Sequence, residues 1–295
     1  MKNTIFTGAG VAIVTPFNDD LTVNYDKLGE LIDFQIENLT DAIIICGTTG
    51  EACTLTDDEH KLAIEYTVKR VNGRVPVVAG TGSNHTEYFL ELSKFAKEVG
   101  ADALLAVTPY YNKATMQGLI KHFFYVADRV DLPMIIYNVP SRTGINITPE
   151  TCLELSKHKN IVAVKDATGN IGNVAKIAAL CGDNLDIYSG NDDQIVPILS
   201  LGGKGVISVS SNILPLETHN ICQYYLDGDT DSSLKLQLQY LDLINALFCE
   251  VNPIPIKAAM NLMGMNVGSL RLPLTEISES ALEKLKISMQ KAGKI

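Results

Sequence analysis

In the stretch "IVAVKDATGN", residues 161–170, four apolar residues run straight into Lys165 and Asp166. A run this apolar belongs in a strand covered on both faces of its sheet, where an ammonium group is costly. Burial disfavours the charged form and lowers a lysine pKa from its usual ~10.4. The resulting neutral amine is a nucleophile that can form a Schiff base with a ketone or aldehyde. Taken alone, such a lysine is more simply read as structural, paired with a carboxylate or set at a strand end. Three other stretches supply the partners that amine chemistry needs. "GTTGE", residues 47–51, offers the hydroxyls of Thr48 and Thr49 beside backbone N–H groups, a combination suited to a small carboxylate. "TPYYN" places Tyr110 and Tyr111 side by side in a predicted loop. "YNVPSRTG" puts Tyr137 at a predicted strand end and Arg142 in the loop beyond it. A tyrosine beside an imine-forming lysine can relay protons, and an arginine can hold a carboxylate bidentately. Each stretch also has a plain explanation: a Gly-bounded turn, interface packing, a surface ion pair.

The elements that must position these residues recur along the chain. Eight short apolar runs begin at Gly10, Asp41, Val75, Ala101, Leu132, Ile161, Leu185 and Lys204. Each is followed by a polar or Gly-rich turn and a helical pattern, the length of one strand–helix unit. The intervening segments carry helix signals. Leu28, Leu31, Ile32 and Gln35 share one face, Thr56 and Glu59 form a capping-box pattern, and Thr148-Pro149 opens a helix. Eight apolar strands alternating with helices predict an α/β fold, a (β/α)8 TIM barrel. An open doubly wound sheet fits less well, because "GAG" at residues 8–10 precedes the first predicted strand instead of following it. After about residue 212 only helical patterns remain. The expected organisation is a barrel over residues 1–225 and a C-terminal helical extension over 226–295 packed on it. In such a barrel the loops after the strands form the site, so the hydroxyls, tyrosines, Arg142 and Lys165 converge on one face. Alternation predicts Ala163 and Lys165 on the barrel side, with Val162, Val164 and Asp166 on the other.

Bulk properties narrow the function. The formal net charge is −10 and no basic run stands out, which argues against nucleic-acid or anionic-membrane binding. No stretch approaches ~18 consecutive apolar residues, so no membrane span is expected. The six cysteines form no CxxC pair and "MKNTIFTGAG" has no apolar leader run. A cytoplasmic protein with free thiols is expected, with Cys53 read as buried. His85, His122, His158 and His219 read as surface or packing residues without partners.

Taken jointly, "GTTGE", "TPYYN", "YNVPSRTG" and "KDATGN", in this order and spacing, resemble the dihydrodipicolinate synthase family within the N-acetylneuraminate lyase superfamily of class I aldolases. The resemblance runs over nearly the whole chain. It implies a Schiff base between Lys165 and pyruvate, and condensation with L-aspartate-β-semialdehyde in the lysine branch of amino-acid biosynthesis. It implies that Tyr137 donates and accepts protons, and that Thr49 links it to Tyr111 of a neighbouring subunit. Thr48 and Thr49 would hold the pyruvate carboxylate, Arg142 the carboxylate of the second substrate, and Gly190 and Ile207 backbone contacts near the lysine. It implies no metal and no organic cofactor, and a homo-oligomer, a dimer of dimers. A sibling pyruvate-dependent aldolase (an N-acetylneuraminate lyase or a 2-keto-3-deoxy sugar acid aldolase) is the alternative, which Arg142 disfavours. Asn191 stands where many members carry Asp. His60, Asn84 and Tyr110 match the family's lysine-effector site, but Asp57 and Tyr88 replace a His and a Glu, so weak or absent inhibition by lysine is expected.

Overall fold

A computed structural model of the protein describes residues 2–295. The eight strands are β1 (Gly8–Ala12), β2 (Ala42–Ile45), β3 (Val77–Gly80), β4 (Ala103–Val107), β5 (Met134–Asn138), β6 (Ile161–Asp166), β7 (Asp186–Ser189) and β8 (Gly205–Ser208). All pair in parallel in sequence order, and β8 pairs with β1 to close the barrel. Both faces of the sheet are buried, which is why the strands read as continuous apolar runs and not as an alternation. Inward residues such as Ile44, Leu105, Ile135, Tyr137 and Tyr188 fill the barrel. Outward residues such as Ile43, Leu104, Ile136 and Val164 meet the helix layer. Below Lys165 the interior is plugged by Phe6 stacked on Tyr188 at 4.5 Å, whose hydroxyl donates to the Phe6 carbonyl.

Two details depart from expectation. The first strand begins at Gly8, so "GAG" lies inside it and not before it. The reason is the closing seam, where Gly8 pairs with Gly205. A Cβ on Gly205 would sit 1.8 Å from the Gly8 carbonyl oxygen, so the sequence signs this contact with glycine and not with the usual apolar residue. Val162 lies with the barrel interior beside Ala163, not on the outer face. A register shift against Met134 and Ile135 inserts one residue into β6 and breaks strict alternation there. Beyond the bulge the alternation resumes, and Lys165 faces inward while Val164 faces the helices.

The helix signals translate into caps and packing. In the helix Tyr25–Glu37 the buried side is Leu28, Leu31, Ile32 and Gln35. Thr56 and Glu59 form the capping box of the helix Asp57–Val71, and Thr148 caps the helix Pro149–Leu155. After β8 the helices Pro215–Leu226, Thr230–Ala246, Ile254–Leu262 and Glu279–Lys291 complete the chain. The segment joining the second and third of these brings Phe248 and Asn252 to the pocket that Lys165 lines. Three histidines expected to lack partners have them: His122 with Thr86, His158 with Asp128 and His219 with Asp41. These partners are 30 to 178 residues away in sequence, so spacing could not reveal them. Among the described residues no helix is long and apolar enough to cross a membrane.

Candidate active site

Lys165 and Tyr137 are cross-strand neighbours on β6 and β5, and both point into the barrel mouth. The Lys165 nitrogen lies 4.2 Å from the centre of the Tyr137 ring. Lys165 is 6% exposed, and among the described residues its amine makes no hydrogen bond. Burial pushes its pKa down to about 8, assisted by the Arg142 cation and resisted by the Asp192 carboxylate. Burial also raises the Tyr137 phenol, against the opposing pull of Arg142 and the Thr48 hydroxyl. The pair therefore combines an amine poised to lose its proton with a phenol poised to keep one.

The loop after β2 brings Thr48 and Thr49 to this pocket. It turns tightly, with the Gly50 amide donating to Gly47 and the Thr15 hydroxyl donating to the Gly50 carbonyl. The hydroxyl beside Tyr137 belongs to Thr48. The Thr49 hydroxyl, expected to link Tyr137 to the relay, accepts from Asn252 Nδ2 at 3.0 Å. Consecutive side chains in a tight turn point in different directions, so two adjacent threonines serve two different neighbours. At the far end of the loop Glu51, with φ 53°, pairs with the buried Lys257 at 2.8 Å.

Arg142 lies on the short helix Pro140–Thr143 after β5, and its Nη2 donates to the Asn252 carbonyl at 2.9 Å. Gly190, after β7, forms the wall beside the lysine. A Cβ there would meet the Ala167 Cβ at 2.7 Å and Lys165 Cε at 3.1 Å, so this position needs glycine. Asn191, Val209, Phe248 and Asn252 also line the pocket, which encloses about 170 Å3. Ile207 is fully buried in the barrel interior, and Val209 is the residue of that segment at the pocket wall.

Tyr111 is not brought to this pocket by its own chain. It is 93% exposed, with φ 70°, on the loop after β4. A second cavity of about 250 Å3 adjoins the first across Thr48 and Tyr137, and is lined by His60, Tyr110, Asp57 and Tyr88 among others. Asn84 sits at its edge, donating to the Tyr110 carbonyl at 3.1 Å. The Tyr88 hydroxyl donates to Asp57 at 2.9 Å. Cys53, on the turn Ala52–Thr54 at this cavity, is exposed and not buried as expected, because it follows the strand instead of belonging to it.

Sequence reasoning missed three participants. Asp192 is buried, with Oδ2 accepting from the amides of Val209 and Ser210 at 3.0 and 2.8 Å. Asn252 and the Glu51–Lys257 pair come from partners more than 200 residues apart in sequence. No local pattern marks them, since each is one polar residue in an ordinary helical or loop context.

The comparisons with known proteins agree with this geometry. The sequence model of the dihydrodipicolinate synthetase family matches residues 5–292. The chain is 58% identical over 295 residues, 100% of both chains, to the 4-hydroxy-tetrahydrodipicolinate synthase of Acetivibrio thermocellus. It is 60% identical over 282 residues to that of Caldicellulosiruptor saccharolyticus, covering 96% of this chain and 95% of the relative. Among solved structures, a chloride-inhibited dihydrodipicolinate synthase from Acinetobacter baumannii complexed with pyruvate superposes with a TM-score of 0.97 at 41% identity, covering 99% of this chain and 100% of that one. One from Cyanidioschyzon merolae with lysine bound gives 0.96 at 41% identity, with 99% and 100% covered. The chain belongs to the dihydrodipicolinate synthetase family and is a lyase of the Schiff-base aldolase type.

Proposed function

We propose that the chain joins pyruvate to Lys165 as a Schiff base and condenses it with L-aspartate-β-semialdehyde, the 4-hydroxy-tetrahydrodipicolinate synthase reaction. The observation that carries this is a buried, unpaired amine with its pKa near 8, set against a phenol and across one pocket from a guanidinium. The neutral amine adds to the pyruvate ketone, and loss of water gives the imine. Removal of a methyl proton gives an enamine, whose carbon attacks the semialdehyde carbonyl and forms the new C–C bond. The product amine then displaces Lys165 by transimination, closing the ring and freeing the enzyme. Tyr137 and Thr48 carry the protons of these steps, a reading supported by the Thr48 hydroxyl beside the phenol. The Thr48-Thr49 turn holds the pyruvate carboxylate, and Arg142 holds that of the second substrate.

The exposed Tyr111, held in a backbone region that is costly for a non-glycine residue, supports donation to a neighbouring copy's relay. A dimer of dimers is the assembly we propose on that ground. The adjoining cavity is read as a degenerate lysine-effector site, and a cytoplasmic setting accords with six free cysteines. Borohydride reduction in the presence of pyruvate should fix the pyruvate-derived mass at Lys165; no adduct would defeat the reading. A coupled assay with both substrates should show Arg142→Ala losing about 10- to 100-fold in kcat/KM for the semialdehyde. An unchanged value would return the sibling sugar-acid aldolases to contention.

A further inference from the structure

The turn that brings Thr48 and Thr49 to the Lys165 pocket leaves through Glu51. Glu51 has φ 53° and ψ 33°, a left-handed conformation that is costly for a residue other than glycine and persists only where the surroundings impose it. Its amide donates to the Thr48 carbonyl at 3.1 Å. Its side chain is fully buried, and both carboxylate oxygens are taken by the C-terminal helical region. Oε1 accepts from Lys257 Nζ at 2.8 Å, and Oε2 accepts from the Arg271 amide at 3.1 Å. Lys257 also donates to the Thr15 carbonyl at 3.1 Å, and the Thr15 hydroxyl donates to the Gly50 carbonyl at 2.6 Å. Lys257, Thr15, Gly50 and Glu51 thus close a ring of hydrogen bonds around the Gly50–Glu51 peptide, which fixes its place and its tilt. Further along, the Arg271 guanidinium donates to the Thr54 carbonyl at 2.8 Å and to the two Glu59 oxygens at 2.7 and 2.6 Å.

We infer that Glu51 is a positioning residue for the first substrate: anchored through its carboxylate, it sets the turn so that the Thr48 and Thr49 hydroxyls meet the pyruvate carboxylate. This rests on the role proposed for that turn and goes beyond it, because Glu51 does not line the pocket and touches no reactant. Burying an ion pair is a poor way to add stability, since well-packed apolar side chains would hold the segment as firmly. What apolar packing does not supply is direction. Contacts between methyl groups tolerate sliding and rotation, whereas hydrogen bonds weaken steeply once they are bent. Binding and rate fall sharply when the groups that hold a substrate are displaced by about 1 Å. A strained peptide next to the two threonines, tied on both carboxylate oxygens, is the arrangement that prevents such a displacement.

The test replaces the ion pair by apolar groups in a Lys257→Met, Glu51→Leu double variant, so that the segment stays packed but the turn loses its anchor. Borohydride trapping is then followed against pyruvate concentration. Half-maximal trapping should need about tenfold more pyruvate than in the wild type. The adduct at saturating pyruvate should stay complete, and the pH dependence of trapping, which reports the Lys165 amine, should keep its place. A purely structural role would lower the folded fraction, and so the saturating amount of adduct, and leave the half-maximal concentration where it was. A double variant with the wild-type half-maximal concentration would overturn the inference. A displaced pH dependence would overturn it too, because the loss would then lie in Lys165 and not in the turn. Glu51→Gln, which keeps the length and one acceptor, should raise the same concentration by about threefold, and it decides alone if the double variant fails to fold. No adduct in the wild type would instead strike the Schiff-base reading itself.

Discussion

Lys165 and Lys257 are both buried, 6% and 1% exposed, and both lie against an aromatic ring, Tyr137 at 4.2 Å and Phe17 at 4.3 Å. Their surroundings otherwise differ. Lys257 donates to the Thr15 carbonyl, the Glu51 carboxylate and the Ser269 carbonyl, at 3.1, 2.8 and 2.6 Å. Three acceptors around one nitrogen match the three N–H groups of an ammonium, and a neutral amine could not serve them all. Burial lowers the Lys257 pKa, and the Glu51 carboxylate pulls it back up. Among the described residues Lys165 makes no hydrogen bond, and the Asp192 carboxylate is what opposes its loss of charge. One buried lysine is thus kept charged and serves as a strut between the C-terminal helices and the loop that carries Thr48 and Thr49. The other is left unsatisfied, which suits it to the nucleophilic role proposed for it. What separates structure from chemistry here is the presence or absence of acceptors, not burial.

The comparison is broken most directly by giving both positions the same substitution. Lys165→Met should reduce turnover roughly 10⁴-fold or more, as removal of a nucleophile does. It should also leave the fold at least as stable, because it removes an unpaired amine from a buried position. Lys257→Met should do the opposite, lowering stability by about 3–5 kcal/mol, because Glu51 is left buried without its partner. Pyruvate trapping at Lys165 should persist in that variant while it is folded. Denaturant titrations and borohydride trapping of the two enzymes check both claims. Equal stability losses in the two variants would show that the lysines are not different in kind. Pairing Lys257→Met with Glu51→Leu should recover much of the loss, since well-packed apolar residues can replace a buried ion pair.

Titration sharpens the same contrast with a smaller effect. The nucleophile is the neutral amine, so kcat/KM for pyruvate should rise with pH and level off above about 8, the Lys165 value. The stability linkage has a definite sign. The folded-state pKa lies below the unfolded value of ~10.4, so the unfolded chain holds more protons between the two. The cost of burying a charged Lys165 is full below pH 8 and is relieved as pH rises through that window. Stability attributable to this residue therefore increases with pH there, and Lys165→Met should lack that slope. A wild-type slope identical to that of the Met variant would place the Lys165 titration elsewhere.

This contrast also marks what was legible in the chain. The barrel was readable because eight runs of Val, Ile, Leu and Ala announce strands covered on both faces, and glycine and threonine mark the turns between them. Lys165 stood out because it interrupts such a run. Lys257 did not, because "IPIKAAMNL" is an ordinary amphipathic helix and its carboxylate partner lies 206 residues earlier. Asn252 was invisible for the same reason. The choice between Thr48 and Thr49 depended on the direction in which each side chain leaves a tight turn, which spacing does not encode. The bulge at Val162 and the glycine seam between β1 and β8 arise from closing the sheet on itself, a constraint on pairs of strands instead of on either alone.

The smallest effect concerns a lysine that is not part of the chain. In the cavity beside the catalytic pocket, a bound amino acid with a side-chain ammonium would need acceptors of the kind that surround Lys257. The carboxylate at that wall is Asp57, and its Oδ1 already accepts from the Tyr88 hydroxyl at 2.9 Å. Burial and this bond to Asp57 both raise the Tyr88 phenol, so it stays protonated and keeps donating across the neutral range. An incoming ammonium must share or displace that donor. L-lysine at millimolar concentration should accordingly slow turnover only weakly. Tyr88→Glu, which removes the competing donor and adds a second carboxylate, should strengthen inhibition by about tenfold if the new ion pair is partly buried. Steady-state rates with and without lysine in the two enzymes decide the matter. Strong inhibition of the wild type would mean that the cavity satisfies an ammonium as well as the pocket around Lys257 does.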